Sequence, residues 1–226
     1  MKFDYYYNDV PGVGQTRNNL IYTSLMSEDG KVFVQWYYND TEYHADQNEV
    51  IDLKDMEEKW QRETRFLLLM RSTFPDHVPD FDINHDDKKI YLKVDGKDFW
   101  NKAFCSIENY NQVLPDWQEQ MLEIISSHRS IGLHKYSMHP SSYFVVDGKL
   151  KSINYFFTYH KDEPFISISD VQSHIHSNRQ NEMRKYLARL GIDWNTPQPW
   201  AVMDQLCWNS FRTNYPSDFI EKVLSV

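Results

Sequence analysis

Residues 132–157 read GLHKYSMHPSSYFVVDGKLKSINYFF. Two apolar runs in this stretch flank Asp147-Gly148, and an Asp-Gly pair between apolar runs is a strong signal for a β-hairpin. We therefore expect a strand over residues 143–146, a tight turn, and a second strand over residues 149–157. A loop that contains Pro140 leads into the hairpin. The predicted fold depends on this order of loop and hairpin.

Three strands, a long helix and two further strands are predicted upstream of this stretch. The predicted strands cover residues 3–10, 19–26, 31–38, 80–83 and 89–94, and the helix covers residues 53–71. Ser27-Glu28-Asp29-Gly30 has the residues that a tight turn prefers, so it joins the second strand to the third. Trp60, Leu67 and Met70 fall on one face of the helix. The pattern predicts a five-stranded antiparallel sheet with one helix laid across it.

The pattern changes to helices after Asp95-Gly96, which predicts a boundary between two lobes at this point. Asp116 can cap one helix, with Glu119 at the reciprocal capping position. Ser177 and Gln180 form a second capping box, and Gly191 ends that helix. Further helices follow Pro199 and Pro216. The hairpin is thus embedded in a mainly helical C-terminal part.

The chain has 226 residues, with 33 acidic and 24 basic side chains and a net charge of -9. Proteins that bind nucleic acid need clustered Lys and Arg to displace the counterions of the phosphates. No basic stripe interrupts this acidic sequence, so we expect no nucleic-acid partner. The aromatic share of 15% is high and allows a sizeable buried core.

The sequence contains two cysteines, Cys105 and Cys207, which are too few for a cysteine-rich zinc site. We expect reduced thiols, with a disulfide between them as the alternative. No stretch approaches the roughly 20 apolar residues that span a bilayer. Residues 1–5 lack the apolar run of a signal peptide. We therefore expect a cytoplasmic protein with no membrane partner.

The order of the predicted elements, together with residues 132–157, resembles the protein-kinase-like fold. Pro140 stands at the proline of the catalytic loop, and the strand after Gly148 resembles the strand that enters the magnesium-binding motif. The resemblance covers residues 3–160. It implies a two-lobed α+β fold, with the five-stranded sheet and its helix in residues 1–95 and a reduced, mainly helical lobe in residues 96–226. The chain is also similar to small kinase-like proteins of tailed phages.

The resemblance also assigns the positions of the phosphotransfer site. Gln35 stands in place of the lysine that holds the nucleotide phosphates, and Glu63 is the helical glutamate that would pair with that lysine. Ser137 replaces the catalytic aspartate. Ser142 replaces the metal-binding asparagine of the loop, and Asn154 replaces the metal-binding aspartate. Phosphoryl transfer needs these groups to position the reactants and to neutralise charge, so only Glu63 keeps the required side chain.

These replacements imply a catalytically inactive protein, with no catalytic residue, no metal and no cofactor. Gln35 carries no positive charge, and Asn154 offers a neutral oxygen to Mg²⁺, which prefers anionic oxygen. Ser137 cannot act as a base near neutral pH, and loss of a positioned base alone lowers the rate by about 10²–10⁴. Because Glu63 would otherwise be buried without its lysine, we expect Gln35 to donate an amide hydrogen bond to Glu63.

Two motifs outside this set have both a functional and a structural interpretation. The stretch from Gly12 to Gly14 resembles a glycine-rich loop over the cleft, but Arg17 stands at the third glycine, and a plain hairpin loop is the alternative. His174 and His176 lie on one side of an extended segment and would suit a metal. Because no third ligand is close in sequence, ordinary loop histidines are favoured there.

Three side chains are candidates to replace the lost catalytic groups. They are His134, His139 and Asp147, with backbone-bonded or surface histidines as the structural alternative. Asp86-Asp87 looks like a pair of carboxylates, yet adjacent residues in a turn normally face solvent.

We interpret the chain first as a catalytically inactive kinase-like protein that binds a protein partner of unknown identity. If the phage resemblance holds, the partner is a host protein in the host cytoplasm. Aromatic runs at residues 5–7 and 36–38 alternate across strands, so we expect one set of side chains in the core and the other set exposed. The exposed set would suit a docking surface, with core packing or simple cover of the sheet face as the alternative. The alternatives are an atypical phosphotransferase with a non-standard active site and a virion or assembly component.

Overall fold

The computed structural model of the protein describes residues 3–5, 22–37, 53–164, 185 and 187–226. The strands in chain order are β1 (Phe3–Tyr5), β2 (Tyr22–Ser27), β3 (Val32–Tyr37), β4 (Phe81–Asn84), β5 (Lys89–Lys93), β6 (Leu133–Lys135), β7 (Tyr143–Val146), β8 (Lys149–Ser152) and β9 (Thr158–His160). The helices are α1 (Leu53–Thr73), α2 (Phe99–Lys102), α3 (Tyr110–Val113), α4 (Trp117–Ser130), α5 (Trp200–Ser210) and α6 (Ser217–Ser225). The predicted mixed fold of helices and antiparallel strands is confirmed.

The chain packs as two compact units. Unit 1 contains Met1–Trp117 and Pro140–Phe156, and unit 2 contains Gln118–His139 and Phe157–Val226. These units do not follow the boundary expected after Asp95, because residues 96–117 and the hairpin cluster with the sheet. The assignment of residues 1–95 and 96–226 to the two lobes of a kinase stays a prediction.

The sheet of unit 1 has the strand order β1-β2-β3-β5-β4, and every neighbouring pair is antiparallel. Strands β2 to β5 form its body, and the three-residue β1 pairs along the outer edge of β2. The turn between β2 and β3 places Gly30 at a φ of +69°, which glycine adopts without a steric penalty. The remainder of the first predicted strand lies outside the described residues.

Helix α1 packs on this sheet through the apolar stripe that the sequence predicts. Trp60, Leu67 and Met70 are all buried. The Trp60 ring lies edge-on to Tyr37 of β3, with 5.4 Å between ring centroids. Within the described parts of the chain, no helix combines the length and the apolar character needed to cross a membrane.

The predicted hairpin forms from β7 and β8, and its turn residues Asp147 and Gly148 have φ values of +50° and +73°. Two positive φ values are typical of the tight turn that an Asp-Gly pair favours. The Phe144 ring lies 5.2 Å from the Phe33 ring of β3, which explains why the hairpin belongs to unit 1. The second strand was expected to reach residue 157 but ends at Ser152, because Asn154 adopts a left-handed φ of +64° that interrupts extended backbone.

Unit 2 is built from most of α4, the paired strands β6 and β9, and helices α5 and α6. Its buried core contains Tyr136, Tyr159, Leu187, Trp194, Trp200, Met203 and Leu206. Arg129 near the end of α4 donates a hydrogen bond to the carbonyl oxygen of Val223 at 2.6 Å, which ties α4 to α6. The helix predicted from Ser177 begins outside the described residues.

Two glycines of unit 2 allow a matched test of local packing. Gly132 and Gly191 have φ values of +76° and +69°, so alanine at either position pays the same left-handed penalty of roughly 1–2 kcal/mol. At Gly132 an added Cβ would lie 2.8 Å from Cγ and Cδ of Lys161, whereas at Gly191 it meets nothing within 4 Å. We expect Gly132→Ala to lower the free energy of unfolding, measured in urea, more than Gly191→Ala. Equal losses would contradict the packing of Lys161 against this turn.

Candidate functional site

Gln35, Asn154 and Ser142 form one buried hydrogen-bond chain in unit 1. Nε2 of Gln35 donates to Oδ1 of Asn154 at 2.6 Å, and Nδ2 of Asn154 donates to Oγ of Ser142 at 2.9 Å. The exposed fractions of the three residues are 0%, 6% and 3%. The structure therefore brings together three of the positions that the resemblance assigned, although Gln35 and Asn154 are 119 residues apart in the chain.

Local backbone geometry positions each member of this chain. Gln35 lies between Phe33 and Tyr37 on one face of β3, and all three are buried. Asn154 takes the left-handed conformation, which asparagine tolerates better than most residues. Ser142 ends a single helical turn, and its carbonyl oxygen accepts a hydrogen bond from the Ile153 N–H at 2.9 Å. This backbone bond holds Ser142 next to Asn154.

Glu63 on α1 is fully buried and accepts two hydrogen bonds on its Oε2. One comes from the Tyr37 hydroxyl at 3.1 Å, and the other comes from the Phe156 N–H at 2.7 Å. The expected bond from Gln35 to Glu63 is wrong, because Gln35 donates to Asn154 instead. Tyr37 lies two residues further along the same face of β3 and takes the place opposite Glu63, since side chains on one face of a strand recur every second residue.

The resemblance to kinases implies a magnesium-bound triphosphate at these positions, and the donor set does not fit one. Mg²⁺ demands hard, usually anionic, oxygens in octahedral geometry. Oδ1 of Asn154 and Oγ of Ser142 are neutral oxygens that already accept hydrogen bonds. Glu63 Oε2 is engaged by Tyr37 and Phe156. In the part of the chain that the structure describes, no group of three His, Cys, Asp or Glu residues is arranged to hold a metal ion.

The other predicted site residues are not part of the hydrogen-bond chain formed by Gln35, Asn154 and Ser142. Ser137 belongs to unit 2, and its carbonyl oxygen accepts a hydrogen bond from the Lys135 ammonium group. The Ser137 hydroxyl is buried and has no hydrogen-bond partner among the described residues. Gly12 and Gly14 lie outside the described residues, and so do His174 and His176.

Among the candidate replacements for catalytic groups, His134 has a carboxylate beside it. Its Nδ1 lies 3.1 and 3.2 Å from the two carboxylate oxygens of Asp204 on α5. The His139 ring lies 6.4 Å from the Phe211 ring. Asp147 is an exposed residue of the hairpin turn, and Asp86-Asp87 is likewise exposed in a turn. Nothing in the sequence pointed to Asp204, because it lies 70 residues from His134 and matches no motif.

Tyr37 was also missed as a site residue, although the strand pattern contained the signal. It follows Gln35 by two positions in β3, and the two side chains therefore share a face. A tyrosine hydroxyl on that face is a suitable donor for the buried carboxylate of Glu63.

No protein-family model and no curated protein sequence matches the chain. A solved structure that resembles it is the medium-resolution structure of the bifunctional kinase-methyltransferase WbdD, with 13% sequence identity and a TM-score of 0.44. That similarity covers 100% of this chain and 46% of the other chain. The protein thus spans about half the length of this structural neighbour.

A double-mutant cycle can test the bond between Gln35 and Asn154. Each of Gln35→Ala and Asn154→Ala should lower the free energy of unfolding by about 1–3 kcal/mol, because each leaves a buried polar group unpaired. The two losses should be non-additive by about 1 kcal/mol, as expected for residues in one network. Urea denaturation measures all three variants. Gln35→Ala combined with Ser72→Ala, at an exposed position of α1, is the control and should be additive. A coupling near zero for Gln35 and Asn154 would contradict the geometry.

Proposed function

We propose that this chain is a catalytically inactive kinase-like protein that acts by binding another protein. The observation that carries the proposal is the buried chain of Gln35, Asn154 and Ser142. In the family that the sequence resembles, these positions hold a lysine and two metal ligands. Here the three side chains are neutral and are bonded to one another.

Binding a metal-bound triphosphate at these positions would require these bonds to break. Charge-assisted hydrogen bonds contribute roughly 1.5–3 kcal/mol each, and Gln35 cannot supply one from a cationic donor. The released amide groups would also lose partners in a fully buried environment, where an unpaired polar group is costly. Both effects disfavour the nucleotide, which supports a role without phosphotransfer.

The contacts of Glu63 support a scaffold that is set without nucleotide. Gln35 of β3 holds Asn154, and Glu63 of α1 holds the Phe156 N–H. Tyr155 between them is fully buried. Two separate elements therefore fix residues 154–156 through bonds that need no ligand.

An exposed aromatic side chain supports protein binding. Phe104 is 81% exposed, and both Phe104 and Cys105 have left-handed φ values, +52° and +56°. Each such residue costs roughly 1–2 kcal/mol, and strained positions of this kind cluster at functional sites. Aromatic side chains, including phenylalanine, are also enriched in protein interfaces relative to the rest of the surface. In the aromatic run at residues 36–38, Tyr37 is core, Trp36 is half-buried under Lys89, and Tyr38 lies outside the described residues.

The second candidate is an atypical phosphotransferase, which the contact between His134 and Asp204 favours. A carboxylate beside an imidazole is the usual way to orient a general base. A role as a virion or assembly component, a phage origin and a location in the host cytoplasm stay predictions.

Nucleotide binding separates these two candidates. A ligand at 100 times its Kd stabilises a protein by about 2.7 kcal/mol, and each kcal/mol shifts the Tm by about 2–4 °C for a chain of this size. We expect ATP with Mg²⁺ to raise the Tm no more than pyrophosphate with Mg²⁺, which is the control for general anion effects. A saturable rise specific to ATP, or labelled phosphate on any acceptor, would overturn the inactive assignment.

Phe104 offers a test of the binding role. Phe104→Gly should keep or raise the Tm, because glycine adopts a positive φ without strain, and it should reduce the amount of partner captured from a cell lysate. Leu190→Ser, at another exposed apolar residue, is the control and should leave capture unchanged. Capture that Phe104→Gly leaves intact would remove Phe104 from the binding surface.

A further inference from the structure

His134 and Asp204 form a cluster in unit 2 that the kinase-like resemblance does not use. Nδ1 of His134 on β6 contacts both carboxylate oxygens of Asp204 on α5, at 3.1 and 3.2 Å. The imidazole stacks on the Trp200 indole, with ring centroids 4.8 Å apart and 10° between the planes. The His134 and Asp204 side chains are 16% and 17% exposed, so solvent reaches the pair.

The contact determines which nitrogen of the ring can accept a proton. Because a carboxylate accepts hydrogen bonds, it holds the proton of a neutral imidazole on Nδ1 and leaves the lone pair on Nε2. Among the described residues, Nε2 of His134 has no hydrogen-bond partner. The stacked indole further restricts rotation of the ring. His134 therefore presents a fixed, unshared lone pair.

The charged and titratable groups around this pair leave the imidazole as the proton acceptor. Burial, reinforced by the charge of Asp204, raises the pKa of Tyr136 and the pKa of Cys207, so both stay protonated. The Arg129 guanidinium of α4 lies 3.9 Å from Oδ2 of Asp204. Lys135 on β6 directs its ammonium group to the Ser137 carbonyl. Opposite His134, β9 contributes Tyr159, which is buried.

We propose that His134, oriented by Asp204, is a proton-accepting site for the hydroxyl group of a bound ligand. Nε2 accepts the O–H hydrogen bond of the ligand. If the proton crosses, it leaves the hydroxyl oxygen and binds Nε2, and the Asp204 carboxylate offsets the positive charge on the ring. The ligand class is an alcohol or phenol. This site does not depend on the Gln35, Asn154 and Ser142 chain.

Nitrogen NMR of the ¹⁵N-labelled protein tests the site directly. We expect the neutral His134 ring to give the signals of the tautomer that carries its proton on Nδ1. Phenol, used as the probe, should shift the Nε2 signal saturably. Anisole, which has the same ring and no O–H donor, should not shift it. A proton on Nε2, or an equal response to both compounds, would overturn the proposal.

A variant distinguishes an oriented base from a merely packed histidine. Asp204→Asn is nearly isosteric, but its amide can donate to Nδ1, so the predominant tautomer should move its proton to Nε2 and the response to phenol should be lost. An unchanged tautomer in folded Asp204→Asn would overturn the role of Asp204. The measurements on the unsubstituted protein decide the proposal even if this variant does not fold.

Discussion

The hydrogen bond between Gln35 and Asn154 is the contact on which the organisation of unit 1 depends. It joins β3 to the segment that follows the hairpin, and both residues are buried. An ion pair at this depth would carry a large desolvation penalty. Two neutral amides avoid most of that penalty, and Nε2 of Gln35 donates to Oδ1 of Asn154, while Oε1 of Gln35 is buried without a partner among the described residues. Because Asn154 also donates to Ser142, loss of the Asn154 side chain would leave polar atoms of both Gln35 and Ser142 without this partner.

Glu63 is a carboxyl group in this interior, and its contacts show how such a group is tolerated. A buried carboxylate needs donors to offset its loss of hydration. The Tyr37 hydroxyl and the Phe156 N–H provide two of them. Phe156 follows Asn154 by two residues. The hydrogen bond from Gln35 to Asn154 and the hydrogen bond from the Phe156 N–H to Glu63 therefore fix the same short segment. Two sets of hydrogen bonds from within unit 1 therefore hold residues 154–156.

Signals that are local in sequence predicted individual elements of the fold well. The Asp147-Gly148 turn and the stripe of Trp60, Leu67 and Met70 each depend on a few neighbouring residues, and both formed as expected. The resemblance to kinases grouped Gln35, Ser142 and Asn154, but it did not give their partners. Whether Gln35 faces Glu63 or Asn154 depends on strand register and on the left-handed backbone at Asn154, which no local pattern determined. Asp204 carried no signal at all, since only the packing of α5 against β6 brings it to His134.

The two units are defined by packing and not by secondary structure. The change from strands to helices at Gly96 is a change of secondary structure, whereas membership of a unit follows burial. Phe144 of the hairpin packs on Phe33, and Lys102 of α2 donates to the Val145 carbonyl at 2.9 Å. Unit 1 is therefore discontinuous in sequence, because Gln118–His139 of unit 2 separate its two parts along the chain. Contacts between such distant segments carry the entropy cost of closing a long loop. The hydrogen bonds that hold Gln35 and Glu63 join residues 119 and 93 positions apart, so both bonds carry this cost.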